Sequence, residues 1–205
     1  KQLIGQNKIL SVLICSVVPA ATRVARDWLR QASINSTIFN HKNCRLGINY
    51  PKPASIGPDR LANALAARSE FGAPVVVVDF GTAVTFDIIN REGDYSGGII
   101  TPGLAAMTDY LHEKTALLPR IELRAPRTLI GKSTEEAMRI GAVHGYRGMI
   151  QTLISQVRRQ LGTRRLPVVA TGGHARLMAR GVAEITAVRP LLTLEGLRLA
   201  STPGN

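Results

Sequence analysis

Aromatic residues are scarce in this chain. Phe, Trp and Tyr make up 4% of its 205 residues, too few for a base-stacking platform on single-stranded nucleic acid. Cysteine is scarcer still. Cys15 and Cys44 cannot form a framework of disulfides, and they match no metal-ligand spacing. No apolar run approaches the ~18–20 residues that span a bilayer. The Lys1–Gln31 stretch lacks the charged-then-apolar-then-cleavage order of a signal peptide. Acidic residues are also in short supply, with 14 Asp+Glu against 26 Lys+Arg and a formal net charge of +12. That excess invites a nucleic-acid reading. The basic residues are scattered, however. The densest pairs, Arg158-Arg159 and Arg164-Arg165, fall near an expected helix end, where cations suit the dipole. Neither a nucleic acid nor a membrane is expected as a partner, and a soluble cytoplasmic protein is the default.

What is present fits a globular chain. Hydrophobic residues reach 45% and charged residues 20%, which argues against disorder. The length is near the upper limit for one compact domain and short for two. Ile9–Val18 is a continuous apolar run stopped by Pro19 and reads as a buried strand. A short helix is expected over Thr22–Gln31, a strand over Ser36–Phe39, a loop over Asn40–Pro53 and a helix over Leu61–Arg68. After the breaker Gly72-Ala73-Pro74 the strand pattern restarts. Val75–Val78 and Val84–Ile89 read as a hairpin, followed by a strand at Tyr95–Ile100 and a helix beginning at Pro102-Gly103. Ser133–Glu136 has the form of a capping box ahead of a long amphipathic run that Gly162 would stop. Leu166–Ala170 reads as a buried strand, His174–Ala179 as a short helix, and Leu191–Leu199 closes the chain. The class is mixed α/β, with a boundary near Phe71–Pro74.

Three segments carry chemistry. In VVVVDFGTAVTFDII (Val75–Ile89) a buried strand delivers Asp79 to a tight turn, Gly81 permits close backbone approach and Thr82 adds a hydroxyl. Backbone N–H groups in such a turn can cradle phosphate oxygens. A neighbouring carboxylate can hold a cation that neutralises phosphate charge. The bland alternative is an ordinary Asp-x-Gly turn. In Gly57-Pro58-Asp59-Arg60 a carboxylate beside a guanidinium at a helix start suits a group that accepts a hydroxyl proton and steadies an anion. Alternatively, Asp59 simply caps the helix. Thr171-Gly172-Gly173, between strand and helix, lets a flat ligand lie against backbone, or is only a turn. Gly131-Lys132-Ser133-Thr134 imitates the end of a P-loop. Pro126 stands where that motif needs its first glycine, which excludes it. Gly141, Gly145 and Gly148 lie on one expected helix, where close packing of another element would explain them.

In their order along the chain, SVVP (Ser16–Pro19), Tyr50, GPDR (Gly57–Arg60), DFGTAVTFD (Asp79–Asp87), YSGGIITPG (Tyr95–Gly103), IGKSTEEAMRIG (Ile130–Gly141), TGG (Thr171–Gly173) and LEGL (Leu194–Leu197) resemble the type III pantothenate kinases, also called Bvg accessory factors. The resemblance implies two ribonuclease-H-like domains of the acetate and sugar kinase/Hsp70/actin superfamily, here over residues 1–72 and 73–205. It implies ATP-dependent phosphorylation of pantothenate to 4'-phosphopantothenate, the first step of coenzyme A synthesis. Mg²⁺, a monovalent cation (potassium or ammonium) and a homodimer are implied with it. By position, Asp59 looks like the acceptor of the pantothenate hydroxyl proton. Tyr50, Gly57, Pro58, Arg60 and Thr134 look like substrate contacts. Asp79 looks like the monovalent-cation ligand, Gly81 and Thr82 like ATP-phosphate contacts, and Thr171, Gly172 and Gly173 like the adenosine-side motif. The family's opening D-x-G-N-T phosphate loop does not occur in this sequence. The expectation is therefore a first domain lacking its opening hairpin, with an exposed strand edge and with catalysis by the chain as given in question. The alternative is a non-catalytic pantothenate- or nucleotide-binding regulatory protein of the same fold.

Overall fold

The computed structural model describes residues 9–201. The opening apolar run forms a strand over only four residues, β1 (Ser11–Ile14), and the strand is half-buried rather than buried. Its neighbour among the described residues is the parallel strand β2 (Asn35–Ile38), paired from Ser11↔Asn35 to Ile14↔Ile38. Parallel strands become fully buried when both faces are covered, and here the cover is partial. The crossover between them is helix α1 (Pro19–Gln31), which begins on a proline in its first turn.

After a loop comes helix α2 (Pro58–Phe71), with Gly57 as its N-cap and no side-chain cap. Asp59 therefore lies inside the first turn, where its carboxylate suits the positive end of the helix. The rest of the chain builds a five-stranded sheet. Its strands are β3 (Val75–Phe80), β4 (Ala83–Ile89), β5 (Tyr95–Pro102), β6 (Val168–Thr171) and β7 (Ala187–Val188), in the order β5-β4-β3-β6-β7. The β5-β4-β3 portion is antiparallel and β6 and β7 are parallel to β3. This is the ribonuclease-H-like arrangement. Helices α3 (Leu104–Lys114), α4 (Thr134–Gln160), α5 (Ala175–Ala179) and α6 (Leu192–Ser201) complete the fold.

Strand β3 explains how the sheet is covered. Val75 to Val78 are all fully buried, as a strand packed on both faces requires. Val76, Val78 and Phe80 share a core with Ile150, Ile154 and Val157 of α4. Val75 and Val77 share another with Leu61 and Ala64 of α2 and Leu192 of α6. Helices α2 and α6 thus cover one face and α4 the other. The approach of α6 to α2 is so close that a Cβ on Gly196 would overlap the Ala62 carbonyl.

The long helix starts as its sequence predicts. Ser133 Oγ accepts from the Glu136 N–H at 3.2 Å, and Glu136 Oε2 accepts from the Lys132 N–H at 2.7 Å. It ends at Gln160, two residues before Gly162 with φ 60°. The three helix glycines do not fit their expected role. A Cβ at Gly141, Gly145 or Gly148 would meet no other atom within 4 Å among the described residues. No described helix is long and apolar enough to cross a membrane.

Candidate active site

The parallel strands β3 and β6 run side by side and end together, with Asp79 opposite Thr171. Two glycine turns therefore meet at the same edge. In the β3–β4 turn the Gly81 N–H donates to the Ala83 carbonyl at 3.1 Å, and the Thr82 carbonyl accepts from the Gly103 N–H at 3.1 Å. In the turn after β6, Gly172 adopts φ 88°, a region that disfavours residues with a Cβ. A Cβ there would also overlap the Asp79 carboxylate. Gly173 has open space beside it. It borders a cleft of about 330 Å³ shared with Gly172, Ala175, Arg176, Val188 and Pro190. The following helix, α5, has only five residues, so open backbone rather than a long helix dipole is what this turn offers an anion.

Asp79 is held from α2, through a residue to which the sequence reading gave no role. Asn63 Nδ2, on α2, donates to Asp79 Oδ2 at 3.1 Å, and Asn63 Oδ1 accepts from Thr193 Oγ1 of α6 at 2.7 Å. Burial pushes the Asp79 carboxyl up, the Asn63 hydrogen bond pulls it down, and the Asp59 charge adds to the rise. This half-buried carboxylate has one oxygen occupied by Asn63 and the other beside glycine backbone, an arrangement that can take a cation. Among the described residues no group of three His, Cys, Asp or Glu gathers as a metal cage.

The second cluster surrounds the start of α2. Gly57 and Pro58 lead into Asp59, whose Oδ1 accepts from the Arg60 N–H at 3.0 Å. Arg60 turns inward. Its Nε donates to Asp87 Oδ1 at 2.7 Å and its Nη2 to the Phe86 carbonyl at 3.2 Å. Tyr95 donates its hydroxyl to the same Asp87 oxygen at 3.1 Å. The Arg60 guanidinium also lies 5.8 Å from the Tyr95 ring centroid. Tyr50 meets Tyr95 edge to face, with centroids 6.3 Å apart. Asp87 is completely buried. Burial pushes its carboxyl up to about 7, against the opposing pull of Arg60 and of the Tyr95 hydrogen bond. Cys15, just past β1, is pushed up to about 11 by burial and then by the Asp59 charge. Asp59 thus acts electrostatically on Asp79, Asp87 and Cys15 alike.

Tyr50, Gly57, Pro58, Asp59 and Arg60 therefore gather on one side of the site. Asp79, Gly81, Thr82, Thr171, Gly172 and Gly173 gather on the other. Thr134 joins neither group. It is exposed in the first turn of α4, a helix packed on the opposite face of the sheet from α2. Sequence reasoning missed Asn63, Asp87, Tyr95 and Thr193. Asp87 left a readable signal, a carboxylate in an otherwise apolar strand, which needs partners to be buried.

The chain matches the family model described as type III pantothenate kinase over residues 1–156. It is 49% identical over 193 residues to a type III pantothenate kinase of Akkermansia muciniphila, covering 93% of this chain and 78% of that relative. It is 48% identical over 191 residues to one of Methylacidiphilum infernorum, covering 92% and 69%. The chain belongs to the type III pantothenate kinase family. A crystal structure described as a Baf family transcriptional activator from Campylobacter jejuni shares the fold. Its TM-score is 0.62 at 23% identity, and it covers 97% of this chain and 85% of that one. Membership in a kinase family does not favour the non-catalytic alternative.

Proposed function

We propose that this protein transfers the γ-phosphoryl group of ATP to the primary hydroxyl of pantothenate, giving 4'-phosphopantothenate and ADP. The reading is supported above all by 49% identity to a type III pantothenate kinase across 93% of this chain, and then by the two glycine turns that meet where Asp79 stands opposite Thr171, since phosphoryl transfer needs mainly positioning and charge neutralisation. Asp59 takes the hydroxyl proton as the oxygen attacks phosphorus. The bond from the γ-phosphorus to the bridging oxygen breaks, and ADP leaves. Arg60, Gly57, Pro58 and Tyr50 hold the pantothenate. Backbone at Gly81, Thr171, Gly172 and Gly173, with the Thr82 hydroxyl, holds the nucleotide. Bound magnesium and a potassium or ammonium ion at Asp79 would neutralise phosphate charge. The chain residues meanwhile set orientation and move the proton.

The reading divides the chain at Gly72 into domains 1–72 and 73–205. It includes a cytoplasmic location and a homodimer. The open glycine row of α4 and the exposed Tyr110 and Leu117 support a subunit contact, with Thr134 as a further substrate contact. Pantothenate-dependent ADP release by the intact protein, with magnesium and potassium present, tests the proposal. ADP release that is independent of pantothenate, or none, contradicts it.

A further inference from the structure

Asp87 is costly where it stands. It is fully buried, and its Oδ2 has no hydrogen-bond partner among the described residues. A buried ion pair with an unsatisfied oxygen is poor support for stability. What it does achieve is geometric. Arg60 reaches inward and is fixed at two points, Nε on Asp87 Oδ1 and Nη2 on the Phe86 carbonyl. Nη1 has no partner among the described residues. Strand β5 makes room for this arrangement, because a Cβ on Gly98 would overlap both Arg60 Nη2 and the Phe86 carbonyl. Tyr95 then pins the shared carboxylate oxygen from the side. Four groups from β4 and β5 thus converge on a single orientation of a guanidinium carried by α2.

We propose that Asp87 is a positioning residue for the kinase reaction, locking the Arg60 guanidinium in the one orientation from which Arg60 contacts pantothenate. This inference rests on the pantothenate kinase reading and on Arg60 as a substrate contact. Asp87 touches neither substrate; it acts through Arg60, with Tyr95 as its brace.

Steady-state kinetics on the intact protein and on Asp87→Asn, Arg60→Lys and the double variant test it. Asparagine keeps the shape and removes the charge. The expected result is a rise of about tenfold in the KM for pantothenate, with the KM for ATP changed by less than about twofold, the mark of lost substrate orientation. The double variant should be about as impaired as Arg60→Lys alone, because both changes disable one device. A pantothenate KM within about twofold of the unmutated value, equal rises for both substrates, or additive losses in the double variant would overturn it. If Asp87→Asn does not fold, Tyr95→Phe decides: a selective rise of about threefold in the pantothenate KM supports the proposal, and no rise overturns it. Absence of pantothenate-dependent turnover in the unmutated protein overturns the kinase reading and this inference with it. Turnover with an unaffected Asp87→Asn overturns this inference alone.

Discussion

Asn63 Nδ2 donates to Asp79 Oδ2 at 3.1 Å while Asn63 Oδ1 accepts from Thr193 Oγ1 at 2.7 Å. The carboxylate at the end of β3 is thereby held from the C-terminal helix through a side chain of α2. Removing the middle of such a relay leaves a partly buried carboxylate short of a donor. Asn63→Ala should cost about 1.5–3 kcal/mol of unfolding free energy, as expected for a hydrogen bond to a charged group. Thr193→Val should cost about 1 kcal/mol, the scale of a neutral bond. Urea unfolding of the two variants checks the ranking, and equal, negligible losses contradict it.

The two glycines after β6 should respond differently. Gly172 has φ 88° and would drive a Cβ into Asp79, whereas a Cβ on Gly173 would meet no other atom within 4 Å among the described residues. Gly172→Ala should destabilise the fold by about 1–3 kcal/mol and weaken nucleotide binding. Gly173→Ala should leave stability within about 0.5 kcal/mol. Thermal unfolding with ATP titration separates them.

Asp87 gives the stability curve a definite sign. Its carboxyl rises from 3.8 to about 7 on folding, so the folded state binds the proton more tightly. That contribution is complete below the unfolded value and is lost as pH rises through the folded one. Between about pH 4 and pH 7, the unmutated protein should therefore lose stability relative to Asp87→Asn, which carries no titrating proton. Parallel unfolding curves across that range would contradict the assignment.

Cys15 reports on the same neighbourhood. With its thiol pushed up to about 11 by burial and Asp59, little thiolate exists near neutral pH, and alkylation should be slow. Asp59→Asn should speed it, by less than unfolding does, because burial is the larger cause. Iodoacetamide labelling followed by peptide mapping measures both rates. A rate indifferent to Asp59 would mean that the end of β1 and the start of α2 are not neighbours.

The buried strands and the glycine turns were legible because their signals are local. Val75–Phe80 is apolar up to Asp79, and Gly81, Gly172 and Ser133 mark turns or caps within a few residues of where they act. The relay from Thr193 through Asn63 to Asp79 was not legible, because its members come together only when α6 packs on α2. The same holds for Arg60 and Asp87, 27 residues apart and joined only when α2 packs on the sheet. The Ile9–Val18 run misled because apolar composition does not record how many neighbours a strand will have, and β1 has one among the described residues.

The proposed chemistry turns on Asp59, which takes the pantothenate proton while the rest of the site holds the two substrates. Asp59→Asn keeps the side chain's shape and removes its basicity. The decisive measurement is single-turnover phosphoryl transfer on this variant, with pantothenate affinity by calorimetry and thermal unfolding on the same sample. The transfer rate should fall by at least about 100-fold, with pantothenate affinity and melting temperature close to those of the unmutated protein. Transfer at an undiminished rate, or a loss matched by failure to fold, would rule out Asp59 as the proton acceptor.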